Sequence, residues 1–387
     1  MRKVQTNSEN HAADNTLLKV RNLETQFKTF SGVVKALQGV DFSISKGETL
    51  GLVGETGCGK SVTALSILRL IQPPGRIVNG EALFEKMNLL KITEEDVRKI
   101  RGDRISMIFQ EPMTSLNPVL KIGDQIAEVI LIHQDLDAEA LQFKISRLKK
   151  RKAELDSKGL GFISKLLKLD RTIADLSAHK DNPPTASRGD RASVAWNKAV
   201  KMLEVVAIPD PEKVAHSYPH ELSGGMRQRA MIAMALACNP VLLMADEPTT
   251  ALDVTVQAQI VDLMKDMKSK IGASFLLITH HLGLVAEFCD KVAVMYAGRI
   301  VEYSDTKSLF SKPLHSYTRG LLGSIPKLAE NRERLDIIPG SVPDMLNPPS
   351  GCGFHPRCSN ATSRCSEKVP SLVEVENGHY VSCLLHS

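Results

Sequence analysis

No stretch of this chain approaches the ~18 to 20 consecutive apolar residues that a membrane-spanning helix needs. Its most apolar segments, "GLVG" and "VLLMADEP", are each interrupted within a few positions, which excludes an unaided bilayer crossing. The first sixteen residues, "MRKVQTNSENHAADNT", lack the apolar stretch of a secretory signal, so they predict a disordered tail on a chain that stays in the cytoplasm. No large excess of one charge is present either. A net +5 over 387 residues does not by itself argue for nucleic acid, and a mildly basic protein can equally sit against an anionic membrane. The cysteines do not pair off. Their count of seven is odd, and Cys58, Cys238 and Cys289 stand singly in apolar or Gly-rich surroundings, which fits reduced thiols better than a disulfide framework.

What is present is ordinary globular material: 43% apolar and 24% charged residues, in a chain long enough for two or three structural units. Thr49 to Val53 is short and apolar, and "VTALSILRLI" after Ser61 has apolar residues at helical spacing, so strand, loop, helix is the predicted order. The loop is Gly54-Glu55-Thr56-Gly57-Cys58-Gly59-Lys60-Ser61, which matches G-x-x-x-x-G-K-[ST]. Small residues there let successive backbone N–H groups face phosphates at a positive helix end; Lys60 adds a point charge, and Ser61 offers a hydroxyl to Mg²⁺.

A second apolar run, Val241 to Ala245, predicts a strand covered on both faces, with Asp246 and Glu247 emerging at its carboxyl end. Two adjacent carboxylates suit two jobs: Asp246 holding Mg²⁺ through water, Glu247 activating the attacking water. At "ELSGGMRQRAMIAMALA" a Ser-Gly-Gly turn precedes an apolar helix and offers a second set of N–H groups to an anion. It lacks a lysine, as expected of a site that holds a phosphate cradled mainly elsewhere.

Together these motifs resemble the ATP-binding cassette family of transport ATPases. Ser223, Gly224, Gly225 and Gln228 lie in the stretch similar to its signature motif, "MIFQEP" supplies the Q-loop glutamine Gln110, "ALD" ends its D-loop at Asp253, and "LLITHH" places the switch histidine at His280. The resemblance implies an α/β P-loop NTPase cassette with a RecA-like core, an antiparallel β subdomain and a helical subdomain. It also implies that two cassettes pair head to tail with each ATP between one cradle and the partner's signature helix, that Gln110 contributes to Mg²⁺ binding, and that Phe27 stacks on adenine. Phe30 competes for that last role, and a core phenylalanine in an N-terminal strand is the other reading of Phe27. His281 departs from the aspartate common in the family. Cys58 stands where the family has a small residue; a thiol near a helix N-terminus can be acidic, so ATP-protected alkylation is expected there.

The expected layout is a disordered tail over 1–16, a nucleotide-binding domain over 17–310 and an extension over 311–387. The helical subdomain spans about 111–235, and a basic insertion sits at about 141–195. Between 141 and 200 there are fourteen Lys and Arg against six Asp and Glu. This block reads as a solvated helical hairpin with a flexible loop, or as a contact for lipid headgroups, membrane subunits or a regulator. The extension, with "KPLHSYTRGLLGSIPKL", resembles that of oligopeptide and dipeptide import ATPases. Its Cys352, Cys358, Cys365 and Cys383 form C-x₅-C-x₆-C-x₁₇-C, which suggests a metal clasp in a cytosolic chain. Zinc would accept four thiolates; the resemblance implies a [4Fe-4S] cluster, with His355 as an alternative ligand.

The resulting expectation is an ATP- and Mg²⁺-dependent subunit of a bacterial importer of di- or oligopeptides at the cytoplasmic face of the inner membrane. Its implied partners are a second cassette subunit, two permease subunits and an extracytoplasmic peptide-binding protein. The competing readings are import of nickel, glutathione or another solute, and a soluble cassette ATPase acting on nucleic acid, which usually carries two cassettes per chain.

Overall fold

The computed structural model describes residues 15–110, 115–157, 163–178, 185–249, 254–324 and 338–386. Twelve strands are found among them: β1 (Thr16–Thr29), β2 (Gly32–Ser45), β3 (Thr49–Val53), β4 (Gly75–Phe84), β5 (Met87–Asn88), β6 (Ile105–Ile108), β7 (Leu242–Asp246), β8 (Ser274–Thr279), β9 (Lys291–Tyr296), β10 (Arg299–Asp305), β11 (Val373–Glu376) and β12 (His379–Val381). The expected tail of residues 1–16 falls almost wholly outside the described residues, and Thr16 already belongs to β1.

Every residue of β3, β6, β7 and β8 is buried. Strands covered on both faces have no solvent side, which is why these sequences are continuous apolar runs instead of alternating ones. They lie in one eight-stranded sheet of order β11-β12-β10-β9-β3-β8-β7-β6. From β9 to β6 all neighbours are parallel, whereas β10 returns antiparallel on β9 through the Ala297-Gly298 turn. β12 then pairs with β10, and β11 closes the edge. The chain beyond residue 310 therefore continues the sheet, and the helix Thr306–Ser311 runs across the expected boundary.

A second, antiparallel sheet has the order β2-β1-β4-β5. Leu17, Leu18, Val20 and Leu23 of β1 share one apolar cluster with Leu50 and Leu52 of β3 and with Ala64 and Ile67 of the helix Lys60–Ile67. Each fully buried Leu or Ile contributes about 1.5 to 3 kcal/mol. The helix is shorter than the periodicity of "VTALSILRLI" predicts. Arg69 takes a left-handed φ of 54°, and its guanidinium donates to the Ile92 carbonyl at 2.7 Å, so the chain leaves the helix to anchor there.

The polypeptide divides into two compact units, residues 1–110 with 241–387, and residues 111–240. The second unit is helical, with Ile122–His133, Asp137–Asp156, Ile163–Ala178, Arg188–Val205, Pro211–His216 and Gly224–Leu236. Its core joins Ile122, Ile126 and Ile130 to Val194, Ala195 and Leu203. Gly123 admits the Trp196 ring, whose carbons would lie 2.6 Å from an added Cβ. In the basic block the helix Asp137–Asp156 buries only Ala140 and Leu141, as a solvated helix of good helix formers does. Lys152 bridges to Asp170 on the following helix at 2.5 Å. Arg147 reaches the buried Asp190 at 3.4 Å, and Ser187 accepts from the Asp190 N–H to start Arg188–Val205. Among the described residues no helix is long and apolar enough to cross a membrane.

Candidate active site

The loop after β3 turns through Gly54, Gly57 and Gly59, all with positive φ. Two of these glycines are required by crowding as well. A Cβ on Gly54 would sit 2.2 Å from the Met295 carbonyl, and one on Gly59 2.7 Å from that of Ala36. The loop is also held from outside, because Gly298 N–H in the β9–β10 turn donates to the Cys58 carbonyl at 2.9 Å. Lys60 Nζ folds back over the loop and donates to Gly54 O at 2.7 Å and Glu55 O at 3.0 Å. Gly59 caps the Lys60–Ile67 helix without any side-chain hydrogen bond, so the helix's first N–H groups are left to whatever the loop holds.

The carboxyl end of β7 lies two strands away in the same sheet. Asp246 is buried, and burial raises its carboxyl pKa, against a hydrogen bond from the Ser61 hydroxyl and the pull of Lys60. Its Oδ1 has no hydrogen-bond partner among the described residues. A buried, unpaired carboxylate oxygen beside a Ser hydroxyl fits a divalent cation, since oxygen donors of this kind are what Mg²⁺ takes. Glu247 has φ 46°, a conformation that costs of order 1 to 3 kcal/mol and persists where the surroundings impose it. Its N–H donates to Ile278 O at 2.8 Å, and the turn directs the carboxylate at two partners. Gln110 Nε2 donates to Oε2 at 3.2 Å, and His280 Nδ1 lies 3.2 Å from Oε1. Lys60, Glu247, His280 and Gln110 thus stand at the carboxyl ends of four adjacent parallel strands, β3, β7, β8 and β6, where ligands of open α/β sheets bind. His281 supplies what an aspartate would at a helix start. Its Nδ1 accepts from Leu284 N–H at 3.0 Å and caps Leu282–Phe288.

In the helical unit Ser223 is the N-cap of Gly224–Leu236 and accepts from Met226 N–H at 3.3 Å, so one of the N–H groups expected to be free is already paired. Gly224 faces open space, and Gln228 is buried. Phe27 is half-buried, with its ring edge over Gly75 on β4, where an added Cβ would come within 2.5 Å. Phe30, at the tip of the β1–β2 hairpin, is fully exposed. Asp253 lies outside the described residues.

Two expectations are corrected. Cys352, Cys358, Cys365 and Cys383 do not form the expected [4Fe-4S] centre, and nothing supports the zinc alternative. Among the described residues no three His, Cys, Asp or Glu side chains come together as a metal-holding group, and all four are free thiols. Their surroundings use them otherwise. Cys365 Sγ is engaged by the Thr362 N–H and hydroxyl at 3.5 and 3.4 Å, and His355 Nδ1 is paired with Cys352 O at 2.9 Å. Burial, with a smaller contribution from the neighbouring thiols, raises the Cys352 and Cys383 thiols above their ordinary pKa. The segment is ordered instead by backbone bonds such as Cys352 N–H to Cys365 O at 2.8 Å and by Phe354, packed on Tyr296 and Tyr317. The second correction concerns Cys58. It is completely buried, and desolvation raises its thiol pKa against the opposing effect of Lys60, so the helix end does not make it reactive.

Three residues that no motif marks reach this site or support it. Tyr317 and Arg357 both bond to Glu55 in the loop. Glu302, fully buried in β10, accepts from Leu314 N–H, His315 N–H and His379 Nε2 at 2.8 to 2.9 Å. The only hint in the sequence was a charged residue inside the alternating run "RIVEYSD".

Comparison with known proteins agrees with this geometry. Residues 37–250 match the ABC transporter family and residues 301–365 the oligopeptide/dipeptide transporter C-terminal region. The chain is 46% identical over 373 residues to the oligopeptide transport ATP-binding protein OppD of Bacillus subtilis, covering 96% of this chain and 89% of that one. It is 45% identical over 372 residues to AppD, an oligopeptide transport ATP-binding protein of the same organism, covering 96% and 97%. A dimeric post-hydrolysis state of the ATP-binding cassette MJ0796 bound to ADP and Pi shares the fold, with TM-score 0.55 and 22% identity over 75% of this chain and 98% of that one. The chain belongs to the ABC transporter family, as one of its ATP-hydrolysing cassettes.

Proposed function

We propose that this chain is the ATP-hydrolysing subunit of a bacterial importer of di- or oligopeptides, working as one half of a cassette pair at the cytoplasmic face of the membrane. In this reading two permease subunits lie above the pair, and an extracytoplasmic binding protein delivers the peptide. The observation that carries the ATPase chemistry is the meeting of Gln110 and His280 on the carboxylate of Glu247, next to a buried Asp246. The peptide substrate is supported by the matched C-terminal region and by the names of the relatives; nickel, glutathione and nucleic acid have no comparable support.

Lys60 and the N–H groups from Gly57 to Ser61 bind the β- and γ-phosphates of ATP. Ser61, Asp246 and Gln110 would hold Mg²⁺, which when bound would neutralise charge on the transferred phosphoryl group. Glu247 orients the attacking water and takes its proton, while Gln110 and His280 keep its carboxylate in place. Ser223, Gly224, Gly225 and Gln228 face the ATP held by the partner cassette, Asp253 joins the same interface, and Phe27 takes the adenine. ATP then favours the closed pair because only that state makes both sets of contacts. The helix Ile122–His133 exposes Leu131 and Ile132, and Val119 and Leu120 are exposed just before it, an apolar surface suited to permease contact.

The test is ATP hydrolysis by the full complex in lipid vesicles with its binding protein. Di- or oligopeptides should stimulate turnover several-fold while nickel and glutathione do not. Stimulation by a non-peptide solute alone, or by nucleic acid without permease subunits, overturns the reading.

A further inference from the structure

Glu55 brings a carboxylate into a loop built to attract anions. Left bare, it would repel a triphosphate. The structure does not leave it bare: Arg357, from the segment beyond residue 310, grips it with a two-pronged fork, Nη1 to Oε2 at 2.7 Å and Nη2 to Oε1 at 3.0 Å. The Arg357 side chain is only 6% exposed. Its Nε is used on Pro339 O at 2.8 Å, and its Cζ lies 5.8 and 5.9 Å from the ring centroids of Tyr296 and Phe354. A guanidinium fixed in this way has one orientation available, and it matches a carboxylate in two places.

The backbone of Glu55 is held as well. Its N–H donates to the Tyr317 hydroxyl at 2.8 Å, and its carbonyl accepts from Lys60 Nζ. Tyr317 is fully buried. It sits in the helix Ser316–Gly323, whose start is tied to β10 by the two N–H groups that Glu302 accepts. One residue of the phosphate loop is therefore fixed at its N–H, its C=O and its carboxylate, and two of these three anchors come from beyond residue 310.

We propose that Arg357 and Tyr317 are positioning residues for ATP: they hold the first half of the phosphate loop in its binding shape through Glu55, and Arg357 cancels the charge that Glu55 would otherwise set against the nucleotide. Both residues lie within the matched C-terminal region, 301–365, and none of the matched names assigns them a role at the nucleotide. The inference rests on the reading of residues 54–61 as the phosphate cradle.

The test uses the full chain for binding of a fluorescent ATP analogue and the assembled complex for turnover. Arg357→Ala should raise the Kd and the KM for ATP about tenfold with kcat within about twofold, Arg357→Lys about threefold, and Tyr317→Phe a few-fold. Adding Glu55→Gln to Arg357→Ala should recover much of the lost affinity, because the uncompensated charge is gone. A purely structural Arg357 would lower the thermal midpoint without this rescue. An unchanged KM in Arg357→Ala and Arg357→Lys, or equal impairment of Arg357→Ala with and without Glu55→Gln, overturns the inference. Should Arg357→Ala fail to fold, Arg357→Lys and Tyr317→Phe carry the same test. Lys60→Ala separates the two levels: retained binding there refutes the cradle itself, whereas lost binding there with normal Arg357 variants refutes only the fork.

Discussion

Glu247 combines a backbone that resists its conformation with a side chain held at both oxygens. A residue strained in this way is costly to place and correspondingly well aimed. Glu247→Gln keeps the shape and removes the base, so hydrolysis should fall by roughly 10²- to 10⁴-fold while ATP still binds, a split that single-turnover measurement resolves. Normal turnover would remove Glu247 from the chemistry. Gly59 can be tested without touching any reacting atom. With φ 106° and the Ala36 carbonyl 2.7 Å from a would-be Cβ, Gly59→Ala must push the loop off β2, and ATP binding should drop at least tenfold by equilibrium titration. For Cys58, burial and a raised thiol pKa mean that alkylation of the native protein should be slow with and without nucleotide and become fast only on unfolding, as read by mass spectrometry.

In the helical unit the proposed ATP contact and the proposed permease contact fall on different stretches. The Ser223 cap supports Gly224–Leu236, and a lost serine cap costs about 1 kcal/mol. Ile122–His133 buries Ile122, Ile126 and Ile130 but exposes Leu131 and Ile132. Ile132→Asp should therefore leave the thermal midpoint of the isolated chain almost unchanged, since surface substitutions cost little, yet weaken co-purification with the permease subunits. Unaltered complex formation would mean that this helix does not carry the contact. The basic block takes its structure from helix propensity and from ion pairs such as Lys152–Asp170 and Arg147–Asp190, with little burial.

At the scale of the whole molecule, the eight-stranded sheet joins the start of the nucleotide site to the end of the chain. The node at Glu302 does this with buried polar groups, and next to it lies His315, 2% exposed. Desolvation lowers the His315 pKa from 6.5 to about 4. The folded protein keeps this imidazole neutral, with Nδ1 accepting from Tyr317 N–H, whereas the unfolded chain binds a proton below its ordinary pKa. Stability from this group is complete above about pH 6.5 and is lost as the pH falls through the window down to about 4, a change on the order of 3 kcal/mol. Denaturant midpoints measured across that window should fall for the parent protein and fall less for His315→Asn; parallel curves would exclude His315 as a source of the acid sensitivity.

The glycine-lysine loop, the carboxylate pair, His280 and the strands that carry them were legible from sequence, because each is a local pattern: four fixed positions in a loop, an apolar run, two acids at its end. Periodicity could not show that Gln110 and His280 converge on one carboxylate from different strands, since strand order comes from the packing of the whole sheet. The cysteine spacing in the last segment was legible too and pointed to an iron-sulfur cluster, for which the described residues offer no metal-holding group; spacing does not encode side-chain partners such as the Thr362 that Cys365 bonds to in its own turn. By itself the sequence determined a lysine loop after one buried strand and two adjacent acids at the end of another, because those patterns need particular residues within a few positions. Only the tertiary structure decided that Glu55 is held by Arg357 and Tyr317 from 302 and 262 residues away: a contact across such a span depends on the closing of the sheet, and no local pattern encodes it.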